Sequence, residues 1–445
     1  MIEIGEIVIA FLMLGGVIVG ALIGYPLGII VGSIGVFSGI VIFGPIPTFE
    51  ILYSRVYEIL MNYSLLALPL FVFMGSILEV SGIADGLYDA LYGAFGKLKG
   101  GLAITSVIIG TILAAAVGIL GASVTMLTLV ALPSMLERGY SKQLASGSIM
   151  AGGTLGILIP PSIMLVIYGP MAGLSVGKLF MAAFIPGFLL SALYCVYIAI
   201  LCIFKPSLGP SIPEDKQLSP LENLKKLFVA MFPPVILIMS VLGTIFLGIA
   251  PPTQAAAIGA LVTVLMAIAY RKLTLDILNK AMIQTVKITG SVLFVAAMTF
   301  FFVGIFIRAG GGEVITRLVL SIPGGRWGIL FAILAINFFL GMVMEWIGVV
   351  FILVPIFTPI MIKLGFDPLW FALMMCVALQ MSFLTPPVAP AIFYMRSAAK
   401  DEWGVSTLDM MKGIIPFVGI IIIALIICSI FPEVILWLPS KMLGG

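Results

Sequence analysis

Four short stretches of the chain interrupt otherwise apolar sequence with glycine, proline or polar side chains. They cover residues 118–125, 152–162, 341–348 and 380–387. Two of them contain a Pro–Pro pair, which removes two backbone donors and disfavours helix at the preceding residue. Carbonyls upstream of such a break lose their helical partners, so with nearby hydroxyls they form an oxygen-only site that suits an alkali cation. The alternative interpretation is a set of kinks packed against neighbouring helices.

Charged residues beside these stretches are few. Glu345 lies between two apolar runs, where an ionisable group is costly and functional by default. It is a candidate to bind a cation, to carry a proton or to cap the amides of a hairpin. Trp346 beside it forms either a substrate wall or ordinary packing. Arg396 offers bidentate recognition of a carboxylate, or is an arginine at the membrane interface.

The amino-acid composition is that of a membrane protein. Of 445 residues, 62% are hydrophobic and 9% are charged, whereas soluble domains are about 45–50% apolar and about 25% charged. This excludes a soluble enzyme, and a net charge of +3 is too small to indicate a nucleic-acid partner. Without histidine, a His-ligated metal is excluded. No Walker A motif occurs, so the chain does not hydrolyse ATP itself.

Continuous apolar runs predict an all-α polytopic membrane protein. The predicted spans are 7–24, 27–43, 64–78, 101–118, 176–204, 227–249, 253–270, 290–307, 326–344 and 413–431. Three amphipathic segments are predicted to lie along the membrane interface: 44–63, 79–100 and 271–289. Cys195, Cys202, Cys376 and Cys428 lie in apolar stretches without metal spacing and are interpreted as free thiols.

An internal repeat appears when the second half is compared with the first at an offset of 226 residues. The pair Pro160-Pro161 then aligns with Pro386-Pro387, and Tyr168 aligns with Tyr394. We therefore predict a first repeat over 1–204, a Pro-rich linker over 205–226 and a second repeat over 227–445. Paired, interrupted hydrophobic segments at matching positions indicate a secondary transporter with its site at the breaks.

These motifs resemble the large membrane subunit of the tripartite ATP-independent periplasmic (TRAP) transporters, the DctM-like proteins. The resemblance rests on GTLGILIPPS at 153–162, VIYG at 166–169, LGMVME at 340–345 and FLTPPV at 383–388. It implies the fold of the ion transporter superfamily. In that fold, two inverted repeats carry re-entrant hairpins and broken helices and work as an elevator-type transporter.

The resemblance also implies a function. The chain would be the large subunit of a sodium-driven transporter that depends on a periplasmic substrate-binding protein and imports a small organic acid. Its partners would be that protein, a separate small four-helix membrane subunit and the bilayer of a bacterial or archaeal cytoplasmic (inner) membrane. No cofactor is implied, and Na⁺ is the coupling ion. The alternative is a self-sufficient ion-coupled symporter or antiporter of the same superfamily.

Carried over to this sequence, the resemblance assigns three groups of residues. The first sodium site would use Gly121, Ser123, Gly153 and Gly156. The second would use Gly341, Glu345, Thr385 and Pro386, much of it through backbone carbonyls. The substrate would lie near Thr125, Thr154, Trp346 and Arg396.

Overall fold

The computed structural model describes residues 4–83, 87, 90–91, 95, 98–118, 120–211 and 220–441. Throughout this part of the chain the regular structure is helical and no strand occurs. The predicted interfacial segment 79–100 and the predicted linker 205–226 lie partly outside the described residues. The confirmed architecture is that of an all-α polytopic membrane protein.

Nine helices precede the predicted linker in the described part of the chain. They are α1 (Ile4–Ile23), α2 (Leu27–Phe43), α3 (Pro45–Leu60), α4 (Ala67–Ser81), α5 (Gly101–Val117), α6 (Leu120–Glu137), α7 (Lys142–Thr154), α8 (Ile163–Ala172) and α9 (Val176–Phe204). The predicted interfacial segment 44–63 contains α3, which begins with proline in its first turn, where the missing backbone donor costs nothing.

The helices after the linker follow a similar order. They are α10 (Pro220–Ile238), α11 (Pro252–Ala269), α12 (Leu275–Arg308), α13 (Gly311–Leu320), α14 (Gly325–Gly341), α15 (Trp346–Lys363), α16 (Pro368–Leu384), α17 (Pro390–Ala398), α18 (Thr407–Ile430) and α19 (Glu433–Leu436). Helix α10 begins inside the stretch interpreted as linker, because Pro220 is tolerated in a first turn.

Nine helices of the described residues are long and apolar enough to cross a membrane. Most coincide with the apolar runs of the sequence. Helices α6 and α15 lie outside the predicted spans. Helix α12 joins the predicted interfacial segment 271–289 and the predicted span 290–307 into one helix of 34 residues. At about 1.5 Å per residue it is about 50 Å long, longer than the hydrocarbon core, so its first turns extend beyond the apolar layer.

The four predicted breaks are interruptions of helices. The α5–α6 and α14–α15 turns lie at Gly118 and at 342–345. Helix α7 passes into a 3₁₀ turn at Leu155–Ile157 before α8 starts, and α16 and α17 are separated by residues 385–389. Both Pro160–Pro161 and Pro386–Pro387 are cis peptide bonds.

Helices from the two sides of the linker pack on one another in matching pairs. The bounds of α6 and α15 differ by 226 positions at both ends, as do the starts of α7 and α16. Helix α6 packs against α17 and α15 packs against α8, while α2 packs against α12 and α4 against α11. The offset found in the sequence therefore recurs in the helix boundaries.

Glycines permit the closest of these contacts. Helices α7 and α18 approach so closely that a β-carbon at Gly147 would meet the Gly413 carbonyl oxygen, and one at Gly413 would meet the Gln143 carbonyl oxygen. Gly419, on the same α18 helix, has no neighbour within 4 Å of its β-carbon position. The two glycines of α18 thus differ in environment, although both lie in the same helix.

We predict that Gly413→Ala lowers the stability of the folded protein, whereas Gly419→Ala does not. The added methyl at 413 meets backbone atoms that cannot rotate away, and such overpacking costs about 1–3 kcal/mol. Thermal unfolding of the purified protein in detergent measures the difference. Equal unfolding temperatures for the two variants would contradict the helix contact described here.

Candidate functional site

The first break lies where the α5–α6 turn meets the connection between α7 and α8. A β-carbon at Gly118 would lie 3.0 Å from the Pro161 carbonyl oxygen, and one at Gly153 would lie 3.1 Å from the Val124 Cα atom. Gly118 also has φ = +67°, a conformation that glycine adopts without steric cost. The hairpin turn and the broken helix are therefore in direct backbone contact.

Three of the four residues assigned to the first sodium site lie at this contact. Gly121 and Ser123 are in the first turn of α6, and Gly153 packs against the same turn from α7. Gly156 follows in the buried 3₁₀ turn. Ser123 is 2% exposed and its hydroxyl has no hydrogen-bond partner among the described residues. An unpaired buried hydroxyl is costly, so this oxygen is free to act as a ligand.

The second break joins the α14–α15 turn to the stretch between α16 and α17. The Val388 amide donates a hydrogen bond of 3.1 Å to the Met342 carbonyl oxygen. A β-carbon at Gly341 would lie 2.6 Å from the Ser382 Oγ atom, and that hydroxyl donates to the Phe338 carbonyl oxygen at 3.0 Å. As at the first break, a hairpin and a broken helix hold each other.

The remaining residues assigned to the second sodium site flank this junction. The Thr385 hydroxyl donates to the Met381 carbonyl oxygen at 2.7 Å, and Pro386 follows directly. Glu345 occupies the N-cap position of α15, but its side chain makes no capping hydrogen bond and is exposed. The capping role considered from the sequence is therefore not performed by this side chain in the structure.

Several polar residues near the breaks are fully buried. The Thr154 hydroxyl donates to the Ala151 carbonyl oxygen at 2.9 Å. At the equivalent repeat position, both side-chain amide atoms of Gln380 lack a partner among the described residues. Asn337 donates to the Met375 carbonyl oxygen at 2.9 Å, while its own side-chain oxygen has no partner. Unpaired polar atoms thus cluster around the second break.

A cavity of about 420 Å³ lies between the two hairpin turns. Three residues assigned from the sequence, Gly121, Glu345 and Trp346, line it. The other lining residues are Gly118, Leu120, Ile157, Ile163, Ile288, Ser291, Val292, Ile347, Val388, Pro390, Phe393 and Tyr394. Because both hairpins and both breaks contribute, the cavity exists only when the two halves are assembled.

Aromatic residues of α17 were missed as site residues by the sequence reasoning. The Tyr394 ring packs on Gly121, with its Cε1 atom 2.9 Å from the β-carbon position. The rings of Phe393 and Tyr394 are 5.9 Å apart at 74°. The 226-residue offset pairs Tyr394 with Tyr168, but an offset gives no information about which residues are in contact.

Helix α12 also contributes residues that the sequence did not indicate. Ile288, Ser291 and Val292 face the cavity, and their spacing of three and four residues places them on one side of a helix. Their periodicity was available in the sequence. Because 271–289 was predicted as an interfacial segment and 290–307 as a separate span, the shared helix face of these three residues was not recognised.

The other residues assigned to the substrate do not line this cavity. The Arg396 guanidinium forms an ion pair of 3.0 Å with the Asp401 carboxylate, and both side chains are exposed. Thr125 is half-buried one turn beyond Gly121, and Thr154 is buried within α7. Of the four assigned substrate residues, the structure brings Trp346 to the cavity.

A family profile now connects this geometry with known proteins. The profile of the "Tripartite ATP-independent periplasmic transporter, DctM component" matches residues 14–434. The chain belongs to this family. The match spans every helix that contributes to the two breaks and the cavity.

Individual relatives agree with the profile. The chain is 30% identical over 387 residues to the C4-dicarboxylate TRAP transporter large permease protein DctM of Pseudomonas aeruginosa, covering 87% of this chain and 88% of that one. It is 28% identical over 421 residues to the ectoine TRAP transporter large permease protein TeaC of Halomonas elongata, covering 94% and 96%. The chain is therefore a membrane subunit of a transporter and not an enzyme.

The fold itself is shared more widely. The crystal structure of the YdaH transporter of Alcanivorax borkumensis superposes on this chain with a TM-score of 0.62 at 14% identity. The match covers 88% of this chain and 89% of that one. At this identity the likeness concerns the fold alone. The polytopic helical architecture described above is thus one already known in a membrane transporter.

We predict that Gly341→Ala destabilises the protein and that Ser382→Gly in the same chain restores most of the loss. The methyl at 341 collides with the Ser382 side chain, and overpacking costs about 1–3 kcal/mol. A double-mutant cycle followed by thermal unfolding measures the coupling between the two positions. Gly290→Ala, with no neighbour within 4 Å, is the matched control. Additive effects at 341 and 382 would contradict the contact.

Proposed function

We propose that this chain is the large membrane subunit of a sodium-driven importer of a small organic acid in a bacterial or archaeal cytoplasmic membrane. The observation that carries the proposal is the meeting of two hairpin turns and two broken helices around one cavity, in a chain of the DctM family. Irregular backbone at membrane depth persists only where it is buried in protein or lines a cavity. Such breaks are where transporters of this architecture bind substrate and coupling ions.

Sodium occupies the two breaks in this proposal and is transported with the substrate. The first site uses the unpartnered hydroxyl of Ser123 with backbone oxygens around Gly121, Gly153 and Gly156. Its support is the buried, unpaired oxygen described above. Sodium is a hard cation that prefers oxygen ligands, and carbonyls released from a helix provide them without a formal charge.

The second site uses Gly341, Thr385 and Pro386, with the Glu345 carboxylate beside them. The Thr385 hydroxyl donates a hydrogen bond to the Met381 carbonyl oxygen, so the lone pairs of the Thr385 oxygen remain available to bind a cation. No lysine or arginine lines the cavity within the described residues, so the charge of Glu345 has no protein counter-ion there. A bound cation would supply one.

The substrate lies in the cavity between the hairpins, with Trp346 as one wall. Thr125, Thr154 and Arg396 meet the substrate only in another arrangement of the two halves. We propose an elevator mechanism, in which the hairpins and broken helices of two inverted repeats move together against α2, α4, α11 and α12. The support for this mechanism is that helices of the two halves pack on each other, α6 against α17 and α15 against α8.

Two further chains complete the system in this proposal. The family name is that of a tripartite periplasmic transporter, which supports a separate small four-helix membrane subunit and a periplasmic substrate-binding protein. Relatives of similar identity are named for C4-dicarboxylate and for ectoine. Substrate choice therefore varies within a common permease fold.

Sodium is expected to raise the unfolding temperature of the purified protein relative to potassium or choline at equal ionic strength. A ligand at 100 times its dissociation constant adds about 2.7 kcal/mol per site. We predict that Thr385→Val reduces this sodium-specific shift by at least about half, because one of the two sites loses its hydroxyl ligand.

The control for this experiment is Thr263→Val. Thr263 donates to the carbonyl oxygen four residues earlier at 2.7 Å, as Thr385 does, but in the middle of α11 and away from the breaks. Its variant should keep the full sodium shift. If the two variants lose the shift equally, or neither loses it, the assignment of Thr385 to a sodium site is wrong.

Uptake should require the periplasmic binding protein. In proteoliposomes that contain this chain with its small subunit, we predict that a sodium gradient drives uptake only when the loaded binding protein is added. Without it, uptake should remain at the level of a potassium gradient. Sodium-driven uptake of free substrate at an undiminished rate would instead support the self-sufficient symporter.

A further inference from the structure

The lining of the cavity carries information about the chemical class of the substrate. Its volume of about 420 Å³ is in the range that encloses a small molecule. Resting on the proposed function, which places the substrate here, we propose that the substrate of this chain is a monocarboxylate with an apolar, preferably aromatic, body. A C4-dicarboxylate or a polyhydroxylated acid does not match this lining.

Three aromatic side chains form one part of the wall. Trp346 comes from the start of α15, and Phe393 and Tyr394 come from α17. Phe393 is 67% exposed, although Ala391, Ile392 and Met395 of the same helix are buried. Aromatic rings bury a large apolar area and prefer offset-stacked or edge-to-face partners. An aromatic ring in the cavity would cover the exposed face of Phe393 in such an arrangement.

Aliphatic side chains form another part of the wall. Ile157 and Ile163 flank the first Pro–Pro pair, and Ile288 and Val292 approach from α12. Hydroxyl groups of a sugar acid placed against these side chains would lose their hydrogen bonds to water without replacement, which is costly. The same surfaces favour an apolar body, because its burial removes apolar area from water.

The polar groups of the lining suffice for one carboxylate. The hydroxyls of Ser291 and Tyr394 and the indole N–H of Trp346 are the side-chain donors among the described lining residues. Arg396, the guanidinium expected to bind a carboxylate, is paired with Asp401 outside the cavity. In this arrangement of the helices, a second carboxylate in the cavity would therefore have no side-chain donor among the described lining residues.

Charge leads to the same conclusion. Among the described residues that line the cavity, Glu345 is the one with a carboxylate, and it repels negative charge on the substrate. The two proposed sodium ions bring two positive charges, which balance Glu345 and one carboxylate of the substrate. An anion with two carboxylates would leave an unpaired charge in a largely apolar cavity, which is strongly unfavourable.

The test is protection of a cysteine placed in the cavity. Val388 is 49% exposed and lines the cavity without donating a side-chain hydrogen bond, so Val388→Cys should react with a water-soluble maleimide. The four native cysteines are free; three are buried and Cys195 is half-buried. The unchanged protein gives their background. Labelling of the full chain in sodium is measured with phenylacetate, succinate or gluconate.

We expect phenylacetate to slow labelling at a concentration at least tenfold lower than succinate or gluconate. In the Phe393→Ala background, the concentration of phenylacetate for half-protection should rise about tenfold, since a ring contact is lost. Phe37→Ala is the matched control, because Phe37 is 72% exposed on α2 and does not line the cavity. Its half-protection concentration should not change.

The other outcomes separate this inference from the proposed function. Better protection by succinate or gluconate overturns the substrate class and leaves a sodium-driven importer standing. Protection by phenylacetate that is equal in sodium and potassium keeps the substrate class and counts against sodium coupling. Protection by none of the three acids overturns the inference, whatever the sodium-dependent unfolding shows.

Discussion

Where a helix is interrupted inside an apolar protein, its freed backbone N–H and C=O groups need new hydrogen-bond partners. The site depends on how this chain provides those partners. Each break frees carbonyl and amide groups, and water is not available to satisfy them at membrane depth. The chain brings a hairpin turn against each broken helix. The Val388 amide donates a hydrogen bond to the Met342 carbonyl at the second break. At the first break the Pro161 carbonyl oxygen closely approaches Gly118, which has no side chain to separate them. Each hairpin and its broken helix therefore form one unit.

These units are completed by contacts between parts of the chain that are far apart in sequence. Tyr394 of the second half packs on Gly121 of the first, and Gly147 packs on Gly413. Both contacts need glycine, because a side chain would separate the backbone from its partner. The cavity is bounded by both units, so its shape depends on how the halves assemble. A relative movement of the halves would change the cavity without unfolding either break.

Features that depend on local chemistry were predictable from the sequence. Proline and glycine determine where helices stop, so the four breaks and most apolar helices were found correctly. Contacts between distant segments were not predictable. Arg396 carries the right chemistry for a carboxylate, but Asp401 lies within reach and pairs with it. The continuity of α12 was also missed, because lysines and an aspartate in 271–289 resemble a separate interfacial segment. From Leu275 to residue 289, however, no proline or glycine interrupts the helix.

The two proposed sodium sites differ in how ready their hydroxyls are for an ion. Thr385 already donates its proton to Met381, which fixes the hydroxyl and leaves its lone pairs for a cation. Ser123 has no partner, so its oxygen carries the cost of burial without a hydrogen bond. A cation at Ser123 would remove that cost, whereas a cation at Thr385 would meet an oxygen already oriented. Sodium binding at the first break is therefore favoured mainly because it gives the unpaired Ser123 hydroxyl a partner. Sodium binding at the second break is favoured mainly because the Thr385 hydroxyl is already oriented.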